Sequence, residues 1–134
     1  MDISHVNLFA VFIAALSSFA LGGIWYSPLL FQRAWMEACG LTELDLKTVN
    51  PKKVFAGSFV LSLLIALSLS LFFGPTPTLG VSVGAAFLIG LCWVGSAYGI
   101  TYLFEQRPLK LFLINSGYHI LQFTIMGLIL GLLP

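Results

Sequence analysis

The polar side chains best placed for chemistry lie in the last apolar stretch of the chain, where Asn115, His119 and Gln122 follow one another at intervals of four and three residues. This spacing puts them on one face of a helix. A neutral imidazole offers one hydrogen-bond donor and one acceptor, and it titrates near neutral pH. Polar groups inside a bilayer usually face protein or water. The stripe therefore predicts either a site or pathway for a small solute or proton, or hydrogen bonds between helices.

Aromatic residues extend this candidate site. Tyr118 precedes His119, and Trp25 and Tyr26 end the first apolar stretch, where an aromatic belt is expected. We expect Tyr26 and Trp25 at the cytoplasmic mouth of the site and His119 deeper in the membrane. The predicted solute or proton site comprises His119, Asn115, Gln122, Tyr118, Tyr26 and Trp25.

Other kinds of chemistry lack a sequence signal. No HExxH motif, phosphate loop or Ser/His/Asp order is present, and no acidic residue falls within a predicted span. Cys39 and Cys92 belong to no CxxC motif or Cys/His cluster, so we predict no metal site and no cofactor. A net charge of +1 without a basic run argues against a nucleic-acid partner.

The elements that must position these residues follow from composition. Only 8% of the 134 residues are charged and 59% are hydrophobic, whereas soluble domains carry about 25% charged residues. Uncharged runs long enough to span a bilayer predict transmembrane helices at about residues 6–26, 54–73, 79–104 and 110–133. The fold class is therefore all-α integral membrane with four transmembrane helices, in a single domain over residues 1–134. Short turns at 74–78 and 105–110 predict that helices two, three and four are sequential antiparallel neighbours.

Orientation follows from the basic residues, all of which fall on one side of the four predicted spans. They are Arg33, Lys47, Lys52, Lys53, Arg107 and Lys110. The positive-inside rule assigns that side, with the 27–53 segment, to the cytoplasm. We predict a protein of the cell (plasma or inner) membrane with both termini on the non-cytoplasmic side and the lipid bilayer as its partner.

The 27–53 segment carries further helix signals. Ser27 suits a cap, Pro28 a first helical position and Gly40 a helix end, and the residues between them have amphipathic spacing. We predict a short amphipathic helix lying in the membrane interface, with Trp35 and Arg33 as its interfacial anchor. Thr42 then caps a short helix, and Asn50-Pro51 suits the start of the second span.

Small residues recur every four positions in each predicted span, for example Ser62 and Ala66 in the second and Gly127 and Gly131 in the fourth. Such stripes allow helix backbones to approach closely. They are explained either by packing within one chain or by a homo-oligomer, and we carry the homo-oligomer as a hypothesis.

Residues 21–31, LGGIWYSPLLF, followed by Trp35, resemble the opening motif of the domain-of-unknown-function 1761 family. Residues 41–46 and Asn50-Pro51 fit its loop, and residues 103–107 and 113–119 fit its C-terminal half. The resemblance covers nearly the whole chain and implies a small multi-pass membrane protein, but it implies no activity. It also implies that the family is built around Trp25, Tyr26, Pro28, Asn115, Tyr118 and His119.

Two functions remain open at this point. The leading hypothesis is an oligomeric membrane protein with a polar intramembrane site or pathway for a small solute, of unknown identity, or a proton. The alternative is a non-conducting scaffold or accessory subunit, in which the 28–53 cytoplasmic segment is the partner surface. A membrane enzyme is a third and weaker class, because no motif predicts its cofactor or lipid substrate.

Overall fold

The structure, a computed structural model, describes residues 3–134 and is 80% helical with no strand in that range. The helices are α1 (Leu8–Trp25), α2 (Gln32–Cys39), α3 (Glu43–Lys47), α4 (Pro51–Phe73), α5 (Leu79–Glu105) and α6 (Leu109–Leu132). Helices α1, α4, α5 and α6 are long and apolar enough to cross a membrane. The predicted all-α, four-helix membrane fold is confirmed, and the interfacial position of the short helix stays a prediction.

Helix starts are set by polar caps. The Asn7 side chain accepts a hydrogen bond from the amide of Ala10 at 3.2 Å, and α1 begins one residue later at Leu8. Asn50 accepts from the amides of Lys52 and Lys53, and Pro51 takes the first helical position of α4. Helix α4 therefore begins three residues before the predicted span at 54, with its first turn carrying both lysines.

The turn after α1 differs from the sequence expectation. The short helix begins at Gln32 and not at Pro28. The Ser27 hydroxyl donates to the carbonyl of Ile24 at 2.7 Å, so it closes the end of α1 and does not cap α2. Residues 27–31 form turns instead, with the Leu30 amide 3.0 Å from the Ser27 carbonyl. Gly40, at φ 71°, ends α2 in the left-handed conformation that glycine favours.

The four long helices pack in the order α4, α1, α6, α5. Helix α6 lies against both α1 and α5, and α4 packs mainly on α1. Helices α4 and α5 are joined by the short 74–78 turn, yet they contact each other only through the first part of α5. Helices α4 and α5, the second and third predicted spans, are therefore neighbours near the turn, as predicted. Further from the turn they are separated by open space.

Small residues allow the closest approach, between α5 and α6. A Cβ atom added to Gly127 would lie 2.6 Å from the Ser82 carbonyl oxygen and 2.6 Å from the Ala86 Cβ atom. A Cβ atom at Gly90 would lie 3.0 Å from the Ile120 Cα atom. Ser62 and Ala66 of α4 are likewise buried. These small-residue stripes pack within the chain.

The apolar core fills the half of the bundle that contains the 74–78 turn. Its buried members come from α1, α4 and α6 and include no polar side chain: Ala10, Val11, Ala14, Ala66, Leu69, Phe123, Met126 and Leu130. The other half of the bundle, towards α2, holds the polar groups of the candidate site. The bundle is thus divided along its axis into a mainly apolar half and a half that carries the polar groups of the candidate site.

Candidate functional site

A cavity of about 600 Å³ lies in the half of the bundle that carries α2. All four long helices and α2 contribute to its wall. Its lining comprises Ser18, Phe19, Gly22, Gly23, Tyr26, Trp35, Val54, Phe55, Ser58, Ser62, Tyr98, Tyr102, Asn115, Tyr118 and His119. We call it the polar cavity, and its size falls within the range of small-molecule sites, about 300–1,000 Å³.

His119 is the centre of a hydrogen-bonded chain that links three helices. Its Nδ1 atom lies 2.7 Å from Gln122 Oε1, and its Nε2 atom lies 3.0 Å from the Tyr98 hydroxyl. Gln122 Nε2 in turn donates to the Ser18 hydroxyl at 3.1 Å. Because Gln122 Oε1 can only accept, His119 Nδ1 carries the proton and Nε2 accepts from Tyr98. In its neutral form the imidazole is therefore held in one tautomer.

Asn115 forms a second polar cluster, closer to α2. Its Oδ1 atom accepts from the Tyr26 hydroxyl at 2.7 Å, and its Nδ2 atom donates to the Tyr102 hydroxyl at 2.8 Å. The carboxamide thus joins the end of α1 to α5. The Oδ1 and Nδ2 atoms of Asn115 can each make one further hydrogen bond, and the Tyr102 hydroxyl can still donate its proton. This cluster, which we call the Asn115 cluster, offers both donors and acceptors to a ligand in the polar cavity.

Two aromatic residues fasten α1 to α6. The Trp25 indole N–H donates to the Ile114 carbonyl at 3.0 Å, and the Tyr118 hydroxyl donates to the Ser18 carbonyl at 3.0 Å. Gly117 permits the first contact, since a Cβ atom there would lie 3.2 Å from the indole ring. Trp25 therefore packs at the helix interface and lies outside the lining of the polar cavity.

Helix α2 covers the mouth of the polar cavity. The Trp35 ring packs edge-on against Tyr26, with 5.5 Å between ring centroids, and it lines the cavity. Glu37 lies 3.5 Å from Lys110 at the start of α6 and 3.4 Å from Arg33. These ion pairs are exposed and stabilise the structure little. Of the two predicted anchors, Trp35 faces the cavity and Arg33 is exposed.

The electrostatics of the polar cavity are those of dipoles, because no Asp, Glu, Lys or Arg belongs to its lining. Among residues 3–134, no three His, Cys, Asp or Glu side chains are grouped so that they could hold a metal ion. The site can hydrogen-bond a ligand through hydroxyl and amide groups. Seven aromatic rings besides that of His119 also line it and can stack on a planar group: Phe19, Tyr26, Trp35, Phe55, Tyr98, Tyr102 and Tyr118.

The structure brings together four of the six residues predicted for the site: Tyr26, Asn115, Tyr118 and His119. Gln122 is buried behind His119 and orients it. Sequence reasoning missed Tyr98 and Tyr102 on α5. Their spacing of four residues within an uncharged span was the available signal, because it places two hydroxyls on one helix face.

Ser18, Ser58 and Ser62 were also missed as site residues. Ser62 was assigned to a packing stripe and is indeed buried, but all three serines contribute to the lining of the polar cavity.

No curated protein and no solved structure matches this chain. The profile of one family, described as "Protein of unknown function (DUF1761)", matches residues 9–131. That range contains all four long helices except Leu8 and Leu132, and it includes every residue that lines the polar cavity. The chain belongs to the DUF1761 family of proteins of unknown function.

Proposed function

We propose that this membrane protein binds a small uncharged solute in the polar cavity, through hydrogen bonds from the Asn115 cluster and stacking on the surrounding rings. The observation that carries the proposal is a cavity of about 600 Å³ into which uncharged polar groups from several helices converge. Concave sites with a few placed polar groups among aromatic walls are typical of small-molecule binding.

The absence of charge from the lining restricts the class of solute. An ion in the polar cavity would be removed from water without a counter-charge, and that is costly in a membrane. An uncharged solute with hydroxyl or amide groups loses fewer hydrogen bonds on entry and recovers them from Asn115 and Tyr102. We therefore assign neutral hydrogen-bonding solutes to the site.

A binding site accounts for the geometry better than an open pathway. Beyond His119 lies the apolar core around Phe123 and Met126, which offers a proton no polar group. A proton at His119 would next meet the Gln122 carboxamide, which neither gains nor loses protons at neutral pH. We propose that the solute enters from the α2 end, which the distribution of basic residues assigns to the cytoplasm.

One chain forms the whole polar cavity, so the proposed site does not require a homo-oligomer. The small-residue stripes that motivated that hypothesis are explained in large part by packing within the chain. A homo-oligomer would have to form on other faces of the bundle.

The test is ligand-observed NMR on protein in lipid nanodiscs, with resorcinol, glycerol and urea as probes. All three are uncharged, and resorcinol also has a planar ring. We expect saturable binding, strongest for resorcinol, and about a tenfold loss of affinity in Asn115→Leu, equivalent to about 1.4 kcal/mol. Ser58→Phe, which places a ring in the cavity, should abolish binding.

Thr124→Val is the matched control for these variants. Thr124 lies on α6 outside the cavity lining, and its hydroxyl donates to the carbonyl of Ile120. The control should bind like the wild type. Absence of saturable binding by all three probes would contradict the proposal, as would binding that neither Asn115→Leu nor Ser58→Phe weakens.

A further inference from the structure

A second cavity lies between α4 and α5 and shares one lining residue, Tyr98, with the polar cavity. Its volume is about 500 Å³, and its lining includes Leu69 and Phe72 of α4, Ile89, Val94 and Ala97 of α5, and Phe123 of α6. We call it the apolar groove. Tyr98 lines both the polar cavity and the apolar groove, so this ring stands where the two meet.

The apolar groove exists because α4 and α5 separate beyond their connecting turn. Both helices are long and apolar enough to span a membrane, so the opening between them faces lipid hydrocarbon. Its lining contains no Asp, Glu, Lys or Arg. A molecule can therefore reach the polar cavity sideways from the bilayer, and part of it can stay in the groove.

We infer that the ligand of this protein is a lipid with one chain and a small uncharged head, which binds with its head at the Asn115 cluster and its chain in the apolar groove. This inference rests on the proposed function, since it names the class of solute for the same cavity. The head would meet hydroxyl and amide groups, and the chain would pass Tyr98 and lie between α4 and α5.

The combined length of the polar cavity and the apolar groove fits one long chain. Tyr102 at the Asn115 cluster and Ile89 in the groove are thirteen residues apart on α5, whose stretch Ile89–Gly95 is a wider π-helical segment. An α-helical rise of 1.5 Å per residue sets an upper value of about 20 Å for this span. The hydrocarbon of one leaflet is about 15 Å deep, half of a 30 Å core. A phospholipid would need to place a charged headgroup and a second chain in the same space.

Selectivity would come from the head and from the fit of the chain. The chain passes from lipid hydrocarbon into a groove that is equally apolar, so its transfer adds little to affinity. Hydrogen bonds at the Asn115 cluster replace those that the head makes at the membrane surface. Two variants separate these contributions: Asn115→Leu should weaken binding of the head, and Ala97→Phe should exclude the chain.

The experiment uses the full chain in nanodiscs and 5-pentadecylresorcinol with a photoactivatable diazirine at the end of its chain. We expect saturable labelling of residues near Phe72 and Ile89, mapped by mass spectrometry and lost on competition with the unlabelled lipid. Ala97→Phe should reduce this labelling at least fivefold while resorcinol still binds. Ala20→Phe, at an exposed α1 position outside both linings, should label like the wild type.

A phosphatidylcholine probe with the same photoactivatable chain is the control for non-specific labelling by bulk lipid. Equal labelling of the groove by the two probes, or no effect of Ala97→Phe, would overturn the inference while resorcinol binding left the proposed function standing. Loss of both resorcinol binding and groove labelling would overturn both. Specific labelling confined to the groove by the single-chain probe supports the inference.

Discussion

His119 Nδ1 lies 2.7 Å from Gln122 Oε1, one turn further along α6. This contact determines which imidazole nitrogen carries the proton, because an amide oxygen accepts and does not donate. The other nitrogen is then an acceptor for Tyr98, 3.0 Å away. His119, which suggested a solute or proton site in the sequence, is thus held in one orientation in the wall of the polar cavity.

The first prediction concerns this tautomer. In ¹⁵N-histidine NMR spectra of the wild type at neutral pH, we expect His119 to carry its proton on Nδ1. Gln122→Leu removes the acceptor and should shift the population towards the Nε2–H form. Tyr98→Phe removes only the donor to Nε2, so it should leave the proton on Nδ1. An Nε2–H wild-type imidazole, or identical spectra for the two variants, would contradict the hydrogen-bond assignment.

The second prediction is that the protein does not conduct protons. The core beyond His119 is apolar, and the Gln122 amide cannot pass a proton on. Proteoliposomes loaded with a pH-sensitive dye should therefore hold a pH gradient as long as protein-free liposomes do. A faster collapse that disappears in His119→Ala would restore the proton pathway as the function of the polar stripe.

The four spans and their caps were predictable because they depend on local sequence. Uncharged runs of bilayer length define α1, α4, α5 and α6, and Asn50 and Thr42 begin helices through hydrogen bonds to residues two or three positions ahead. Ser27 shows the limit of such signals. Its hydroxyl can either cap the next helix or bond the last turn of the previous one, and only the path of the backbone selects between them.

The order of the helices was not predictable from local sequence. A membrane helix is apolar on most faces, so its sequence does not specify which neighbour it contacts. The short 74–78 turn favoured α5 as the partner of α4, but phenylalanines such as Phe12, Phe19 and Phe59 join α4 to α1. The polar cavity exists because of that pairing. Asn115 and His119 were identified from their spacing on one helix, whereas the place of Tyr98 and Tyr102 in the cavity depends on the order of the helices.

The third prediction tests the α5–α6 contact. Gly127→Val would force side-chain atoms against the Ser82 carbonyl, where a Cβ atom alone would lie at 2.6 Å, so the helices must separate. We expect a destabilisation of about 1–3 kcal/mol, measured as a fall in thermal unfolding temperature in detergent. Gly84→Val on the exposed face of α5 is the control, because a Cβ atom there meets nothing within 4 Å. Equal effects of the two substitutions would show that α5 and α6 are not in close contact.

The fourth prediction tests the proposed orientation with the cysteines of the chain. Cys39 ends α2 beside the cavity mouth, whereas Cys92 is exposed on the membrane-facing part of α5. A membrane-impermeant maleimide should label Cys39 in inverted vesicles and not in right-side-out ones, since the α2 end is proposed to face the cytoplasm. Cys39→Ser should abolish labelling, because Cys92 lies at bilayer depth. Labelling of Cys39 only in right-side-out vesicles would reverse the orientation.

The pH dependence of that labelling is a second readout of where Cys39 lies. Burial raises the pKa of the Cys39 thiol, and the nearby Arg107 guanidinium only partly opposes this effect. Maleimide reacts with the thiolate, so a raised pKa means a smaller thiolate fraction at neutral pH than in an unfolded chain. Labelling of the folded protein should be slower than labelling of the denatured protein at pH 7, and the two rates should converge as the pH rises through the folded pKa. Arg107→Gln removes the opposing positive charge and should slow the labelling of Cys39 in the folded protein further. An unchanged labelling rate would show that the Arg107 guanidinium does not act on the Cys39 thiol.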